Sequence, residues 1–233
     1  MQKILSIIIP AYNEQDCISH CLDSVLHQSV DPGTYEVIVV DNHSTDRTSV
    51  IAEDKGVRVV SEPKKGYVHA LRKGVEESIG QILAFTDADS QVPPYWISKI
   101  LDDFAAGPDI VAVGGKLIFE DVNPMIDSVT RWILSHADTL PGPNMAIRRE
   151  ALDRIGGFNP DVNLSLDYWV TLKLRAVGRI VIDKRLVVVT SGRRFGGAFS
   201  SQLSYPLNAV SLRLFERPLF FDFPDVRDRY GRQ

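Results

Sequence analysis

Two carboxylates, Asp87 and Asp89, stand two residues apart directly after the apolar run Gln81–Phe85. In an extended chain, alternate side chains point the same way. Two converging carboxylates repel unless a cation lies between them. Hard oxygen donors suit Mg²⁺ or Mn²⁺ rather than zinc, and such a site keeps positions that a diphosphate can fill. Alone, Asp-x-Asp is equally the chemistry of an acidic turn; its place after a buried strand points to a site. Three earlier apolar runs end the same way, in Pro10-Ala11-Tyr12-Asn13-Glu14, Asp41-Asn42-His43-Ser44-Thr45-Asp46 and Ser61-Glu62-Pro63-Lys64-Lys65-Gly66. Ligands of open α/β sheets bind beyond the carboxyl ends of the strands, so four polar strand ends predict one shared site. Tyr12 offers a ring to stack on a base, or simply packs at its strand end. Lys64, Lys65 and Arg72 offer positive charge to phosphates, or form a solvated basic face.

The elements that must position these groups are legible in the first half. Ile4–Ile9, Glu36–Val40, Val57–Val60 and Gln81–Phe85 are short β-branched runs of the kind that fill a parallel sheet covered on both faces. Between them lie helical patterns: Ile18, Cys21, Leu22, Val25 and Leu26; a stretch from Thr45 to Lys55 ended by Gly56; and Val68, Leu71, Val75 and Ile79 ended by Gly80. Alternating strands and helices predict right-handed βαβ units in an open, doubly wound α/β sheet. The second half is less regular. Pro93-Pro94 opens a helix through Phe104, and Asp109–Phe119 reads as a strand kinked at Gly114-Gly115. Asn123-Pro124 starts a helix to about His136, and Asp138–Asn144 is a loop. Short helix follows at Arg149–Ile155, Ser165 caps a helix to about Val177, and Arg179–Thr190 is strand-like.

Composition narrows the classes. The chain has 233 residues, 44% hydrophobic and 24% charged, ordinary values for a globular protein with ample core. Lys+Arg 26 against Asp+Glu 30 leaves a formal net charge of -4, with no basic field to attract nucleic acid. Cys17 and Cys21, one helical turn apart, read as reduced core thiols of a cytoplasmic protein. No apolar stretch is long enough to span a bilayer. A dinucleotide fold would place Gly-x-Gly-x-x-Gly after the first strand. That position holds Pro10–Glu14, so phosphate charge must be met otherwise, and a metal held by Asp87 and Asp89 is the candidate.

Several motifs in order resemble the family 2 inverting glycosyltransferases of GT-A fold. They are Ile-Pro-Ala-Tyr-Asn-Glu at 9–14, Asp-Asn-x-Ser-x-Asp-x-Thr at 41–48, Gly66 through Gly74 with Arg72, and Asp-Ala-Asp at 87–89. Gly142–Arg149, Gly156-Gly157-Phe158 and Leu166-Asp167-Tyr168 continue the resemblance, which fades after about Thr190. It implies a nucleotide-sugar half at about 1–115, an acceptor half at about 116–190, and a tail at 191–233. It further implies that Pro10, Tyr12 and Glu14 line the nucleotide pocket, that Asp41 hydrogen-bonds the base, and that Arg72 approaches the diphosphate. Asp87 would face the ribose or sugar, Asp89 would bind Mg²⁺ or Mn²⁺ with Asp87, and Gln91 would join the metal as in polyprenyl-phosphate mannose synthases. Asn144 would border acceptor and donor sugar, and Asp167 would be the catalytic base. The family's usual acidic pair is here Leu166-Asp167, leaving one carboxylate. The Gln-x-x-Arg-Trp signature of processive synthases is absent, which implies transfer of a single sugar.

The expected activity is therefore metal-dependent, inverting transfer of one sugar from a UDP-, GDP- or dTDP-sugar to a glycan hydroxyl or a lipid-linked phosphate. Two other classes stand beside it. A sugar-1-phosphate nucleotidyltransferase would want a glycine-rich basic loop after the first strand. A nucleotide-sugar-binding protein without catalysis has Leu166 as its support. Asp167 near a helix start would be held ionised by the helix dipole, while burial pushes the other way. The tail carries no charge from Phe195 to Leu212, with Leu207, Val210 and Leu214 at helical spacing and Arg193, Arg194, Arg213 and Arg217 flanking. It reads as a helix closing the core or pairing a homodimer, or else as a peripheral patch at the inner face of the membrane. Pro206, Pro218 and the acidic residues favour the former.

Overall fold

The computed structural model describes residues 3–120, 139–162, 165–193 and 211. The apolar run Leu5–Ala11 forms β1, buried along its whole length because strands flank it on both sides. It pairs in parallel with β2 (Tyr35–Asp41) and β4 (Ile82–Phe85), and β2 pairs in parallel with β3 (Arg58–Ser61). Alternation along β1 divides the core in two. Ile7 and Ile9 pack with α1 (Ile18–Leu26) and α4 (Trp96–Ala105), whereas Ile8 packs with α3 (Tyr67–Glu77) and with α6 (Leu166–Arg175) on the other face. The connecting α2 spans Thr48–Asp54, starting three residues later than the sequence pattern suggests.

Beyond β4 the sheet changes character. The strand order is β3-β2-β1-β4-β7-β6-β8-β5, where β5 is Ser90–Gln91, β6 Ile110–Glu120, β7 Met145–Arg148 and β8 Arg179–Ser191. The four-residue β7 is a wedge, antiparallel to both β4 and β6, while β6 and β8 run parallel. Neither β7 nor β5 is foreseen in the sequence, where Asp138–Asn144 reads as loop and residues 145–148 fall in no element. Strands of four and two residues are too short to display a period. The α5 helix (Arg149–Arg154) follows β7 directly. The fold is thus a mostly parallel, mixed α/β sheet flanked by helices. The helix expected at 124–136, Asp138, and the tail from Arg194 (Ser211 apart) lie outside the described residues. No helix among the described residues is long and apolar enough to cross a membrane.

The kink foreseen at Gly114-Gly115 is a register jump. Gly114 pairs with Ile182 but Lys116 pairs with Val187, so β8 bulges outward over residues 183–186. A Cβ on Gly115 would lie 2.0 Å from the Leu186 carbonyl oxygen and 2.5 Å from Asn144 Nδ2. Backbone cannot yield as a side chain does. Gly115→Ala is therefore expected to cost at least ~3 kcal/mol, the upper end of overpacking, read as a lowered urea midpoint at unchanged slope.

Candidate functional site

The first two motifs build one surface by bonding to each other. Asn13, at φ 53°, accepts the Thr45 N–H at 2.8 Å, and its own N–H donates to Ser44 Oγ at 3.0 Å. The Glu14 N–H donates to Thr48 Oγ1 at 2.8 Å, and the Gln15 N–H to Asp46 Oδ2 at 3.1 Å. The short polar residues of 41–48 are thus fasteners for the loop after β1. Asn42 extends the pattern: its Nδ2 donates to the Glu62 and Lys64 carbonyls, and its Oδ1 accepts the Gly66 N–H at 2.8 Å. Three strand ends are locked together. Pro10 fits because β1 outruns β4: the last β1–β4 pair is Ile8 with Phe85, so the rung that Pro10 cannot make is not required.

What the fasteners hold in place are Tyr12, Glu14, Asp41 and the segment after β4. Lys65 Nζ lies 5.1 Å from the Tyr12 ring centre and donates to its hydroxyl at 3.3 Å, so a cation and a ring share one wall. Asp41 ends β2 and accepts the Ser44 N–H at 3.3 Å. The stretch from Asp87 to Ser90 is not extended. The Ser90 N–H donates to the Asp87 carbonyl at 3.0 Å, closing a tight turn. The two carboxylates therefore meet different partners: Tyr67 Oη donates to Asp87 Oδ1 at 3.2 Å, while Asp89 faces β8. Beneath the turn, buried Cys21 donates its thiol hydrogen to the Asp87 carbonyl at 3.3 Å, and burial pushes its pKa far up, so it is inert support.

Asp89 and Glu14 are both enclosed. Thr190 Oγ1, itself receiving the Ser90 hydroxyl at 2.8 Å, lies 3.4 Å from Asp89 Oδ1. Arg193 Nη2 donates to Asp89 Oδ2 at 2.9 Å and to Glu14 Oε2 at 2.7 Å. A guanidinium thus marks the place of a cation between acidic groups. The donor set there is carboxylate and hydroxyl oxygen, the hard set that Mg²⁺ or Mn²⁺ takes, with one or two carboxylates sufficing when a diphosphate supplies the rest. Among the described residues no three His, Cys, Asp or Glu side chains are grouped to hold an ion unaided. Gln91 is exposed on β5, paired through its backbone with Val189.

Asp167 lies at the first turn of α6. Its Oδ1 accepts the Tyr168 N–H at 2.9 Å, yet burial outweighs that bond and holds its pKa above the ordinary carboxyl range. The opposition of dipole and burial is therefore decided for burial. Thr171 Oγ1 donates to the Asp167 carbonyl at 2.7 Å and accepts the Leu140 N–H at 3.0 Å, tying this helix start to the loop before β7. Leu166 packs into the core with Trp169 and Val170, which explains why no second carboxylate stands there. Ser165 does not cap the helix as expected. It sits at φ 66° and its buried Oγ has no hydrogen-bond partner among the described residues.

Two side chains named by the resemblance bond within the protein. Asn144 is completely buried: Nδ2 donates to the Lys116 and Leu186 carbonyls, each at 3.0 Å, and Oδ1 accepts Trp96 Nε1 at 2.9 Å. Arg72 donates Nη1 to the Phe158 carbonyl at 3.2 Å, linking α3 to the Gly156-Gly157-Phe158 segment. Tyr67 and Thr190 carry no signal in the sequence beyond following Gly66 and ending a strand.

Polar strand ends above a parallel half-sheet, continued by an antiparallel wedge, define the GT-A class of glycosyltransferase folds. The chain belongs to glycosyl transferase family 2, whose model matches residues 6–156. Glycosyltransferase AglE of Haloferax volcanii is 31% identical over 169 residues, covering 66% of this chain and 55% of that protein. An uncharacterized glycosyltransferase of Mycobacterium bovis, Mb0553, is 30% identical over 202 residues, 83% of this chain and 87% of its own. Among solved structures, the mannosyltransferase PcManGT of Pyrobaculum calidifontis, in complex with GDP-Man and Mn²⁺, superposes with a TM-score of 0.68 at 26% identity, covering 81% of this chain and 57% of that one. The chain thus spans little more than half of AglE and PcManGT.

Proposed function

We propose that this chain transfers a sugar from a nucleoside-diphosphate sugar to an acceptor hydroxyl or lipid phosphate by one inverting, metal-assisted displacement. The observation that carries this reading is the division of carboxylates. Glu14, Asp41, Asp87 and Asp89 gather at the strand ends, while Asp167 stands apart on α6 with a raised pKa suited to accepting a proton. PcManGT's GDP-Man and Mn²⁺ support the donor class and the metal.

Donor binding falls to the strand ends. Tyr12 and Lys65 offer a ring and a charge to the base and phosphates, Asp41 offers an acceptor to the base, and Asp87, held by Tyr67, faces the ribose or sugar. Asp89 and Asp87 are the residues that would hold Mg²⁺ or Mn²⁺, which when bound offsets the negative charge growing on the leaving diphosphate. In the displacement the bond from the anomeric carbon to the diphosphate oxygen breaks and the bond to the acceptor oxygen forms. When the acceptor is a hydroxyl, its proton moves to an Asp167 carboxylate oxygen; a lipid phosphate attacks through an oxygen that is already anionic. A single attack from the face opposite the leaving group inverts the anomeric centre, and the sugar passes through an oxocarbenium-like state.

A thermal-shift panel of UDP-, GDP- and dTDP-sugars, each with and without Mn²⁺, tests the donor half, since a ligand at ~100 times its Kd adds ~2.7 kcal/mol to native stability. One nucleotide should raise the melting temperature, more so with Mn²⁺. Asp89→Ala should erase the Mn²⁺ increment. An unchanged increment would remove Asp89 from the metal site. Sugar transfer to an acceptor separates an enzyme from a binding protein, and formation of a nucleotide sugar and pyrophosphate from sugar-1-phosphate and a nucleoside triphosphate would reveal a nucleotidyltransferase.

A further inference from the structure

Where β1, the Asp87–Ser90 turn and the end of β8 converge, a single nitrogen joins two carboxylates. Arg193 Nη2 donates to Glu14 Oε2 at 2.7 Å and to Asp89 Oδ2 at 2.9 Å. Its Nε rests on Ser191 Oγ at 3.1 Å. The carboxylate side chains are 6% and 9% exposed, the Arg193 side chain 36%. Two carboxylates this close and this poorly hydrated repel strongly, and the guanidinium offsets that repulsion in the ligand-free protein. It does so on the carboxylate of Asp89, which the proposed function gives to a divalent ion. A guanidinium and a divalent ion on one carboxylate repel each other across a short, weakly screened distance.

We propose that Arg193 is the resident counter-cation of the donor site and exchanges with the divalent ion for Asp89. The inference rests on the donor-site reading above and adds a step to it. Without nucleotide, the ion must displace the guanidinium from Asp89, so its entry is opposed. The guanidinium is the more exposed partner and is anchored through Ser191 at the end of β8, so it leaves toward solvent while the carboxylates stay. A diphosphate brings negative charge that accommodates both cations, so ion and nucleotide enter together rather than in sequence. Arg193 thereby offsets one of the two negative charges at Glu14 and Asp89 in the ligand-free protein and makes metal binding conditional on donor.

Mn²⁺ binding to the nucleotide-free protein, followed by the loss of the free-ion signal in electron paramagnetic resonance, tests the exchange without reference to activity. Arg193→Gln should tighten Mn²⁺ binding by about tenfold or more, through loss of one close like charge. Arg193→Lys keeps the charge and should stay near the parent. Ser191→Ala frees the Nε anchor and the Arg193 backbone N–H that shares the same hydroxyl, leaves the fold intact, and should tighten binding by about twofold to threefold, half a hydrogen bond's worth or so. If Arg193→Gln is unstable, its melting temperature should climb more steeply with Mn²⁺ than the parent's, because the ion then separates Glu14 and Asp89. Equal or weaker Mn²⁺ binding in both Arg193→Gln and Ser191→Ala overturns the exchange. Asp89→Asn distinguishes the two readings: if it abolishes Mn²⁺ binding while Arg193→Gln matches the parent, only the exchange fails; if it leaves Mn²⁺ binding intact, the metal site and the exchange fail together.

Discussion

Asp167→Asn is expected to lower sugar transfer by ~10²–10⁴-fold, the loss typical of a removed general base, while nucleotide-sugar affinity stays near the parent value. The substitution keeps size and the acceptor oxygen that takes the Tyr168 N–H at 2.9 Å. It removes only the capacity to take a proton. Donor groups lie on other segments, at the ends of β1, β2 and β4, so binding and turnover should separate. Burial holds the Asp167 pKa above the ordinary carboxyl range, which fixes two pH effects. Below the raised value the base already carries a proton, so kcat/KM should fall on the acid side, with its limb above the ~3.9 of an unperturbed aspartate. For stability the sign is opposite. A carboxyl with a higher pKa folded than unfolded contributes stability that is complete below the unfolded value and lost as pH rises through the folded one. Asn carries no such charge. Asp167→Asn should therefore melt higher than the parent at neutral pH, with the difference closing below the ordinary aspartate range. A variant that transfers at near the parent rate would exclude Asp167 as base. One that melts lower at neutral pH would exclude burial as the cause of its shifted pKa.

Asp167 is a residue that the sequence locates but does not characterise. The nucleotide half was legible because its signals are local. β-Branched runs, helix periods and glycine stops each act within one element, and polar residues at four strand ends need only the rule that ligands meet parallel strands at their carboxyl ends. What stayed hidden depends on contacts far apart in the chain. The Arg193 clasp on Glu14 joins residues 179 positions apart, and nothing near either predicts the other. The turn at Asp87–Ser90 rests on one backbone bond and a thiol from α1, so the two carboxylates diverge where an extended chain would have aligned them. Strand β7 escaped because four residues between two longer strands show burial but no alternation. Within the motif at 41–48, Asn42, Ser44, Asp46 and Thr48 hold loops in place, while Asp41 ends β2 beside them. Motif membership and contact with ligand are separate properties, and the burial of each side chain divides them.

Asn144 is the sharpest case of that division, and Asn144→Ala should show it. Its side chain closes the junction of three segments: the Trp96 ring on α4, the kinked β6 at Lys116 and the β8 bulge at Leu186. Removing it strands the buried Leu186 carbonyl, the part-buried Lys116 carbonyl and an indole N–H, each buried group costing ~1–3 kcal/mol when left unpaired. A loss of ~3–5 kcal/mol is expected, a large part of the ~5–15 kcal/mol that holds a typical domain, and it should appear as a lowered urea midpoint. Asn144→Asp should be no milder, since a carboxylate would face the Lys116 and Leu186 carbonyl oxygens where the amide now donates. A residue bordering the sugars would behave otherwise, with stability near the parent and a raised KM for donor or acceptor. If Asn144 is a fastener, whatever fraction of Asn144→Ala remains folded at low temperature should bind donor with near-parent affinity, since Tyr12, Asp41 and Asp87 are positioned from other strands. Full stability with impaired sugar binding would return Asn144 to the pocket and require its side chain to turn away from Trp96 when donor binds.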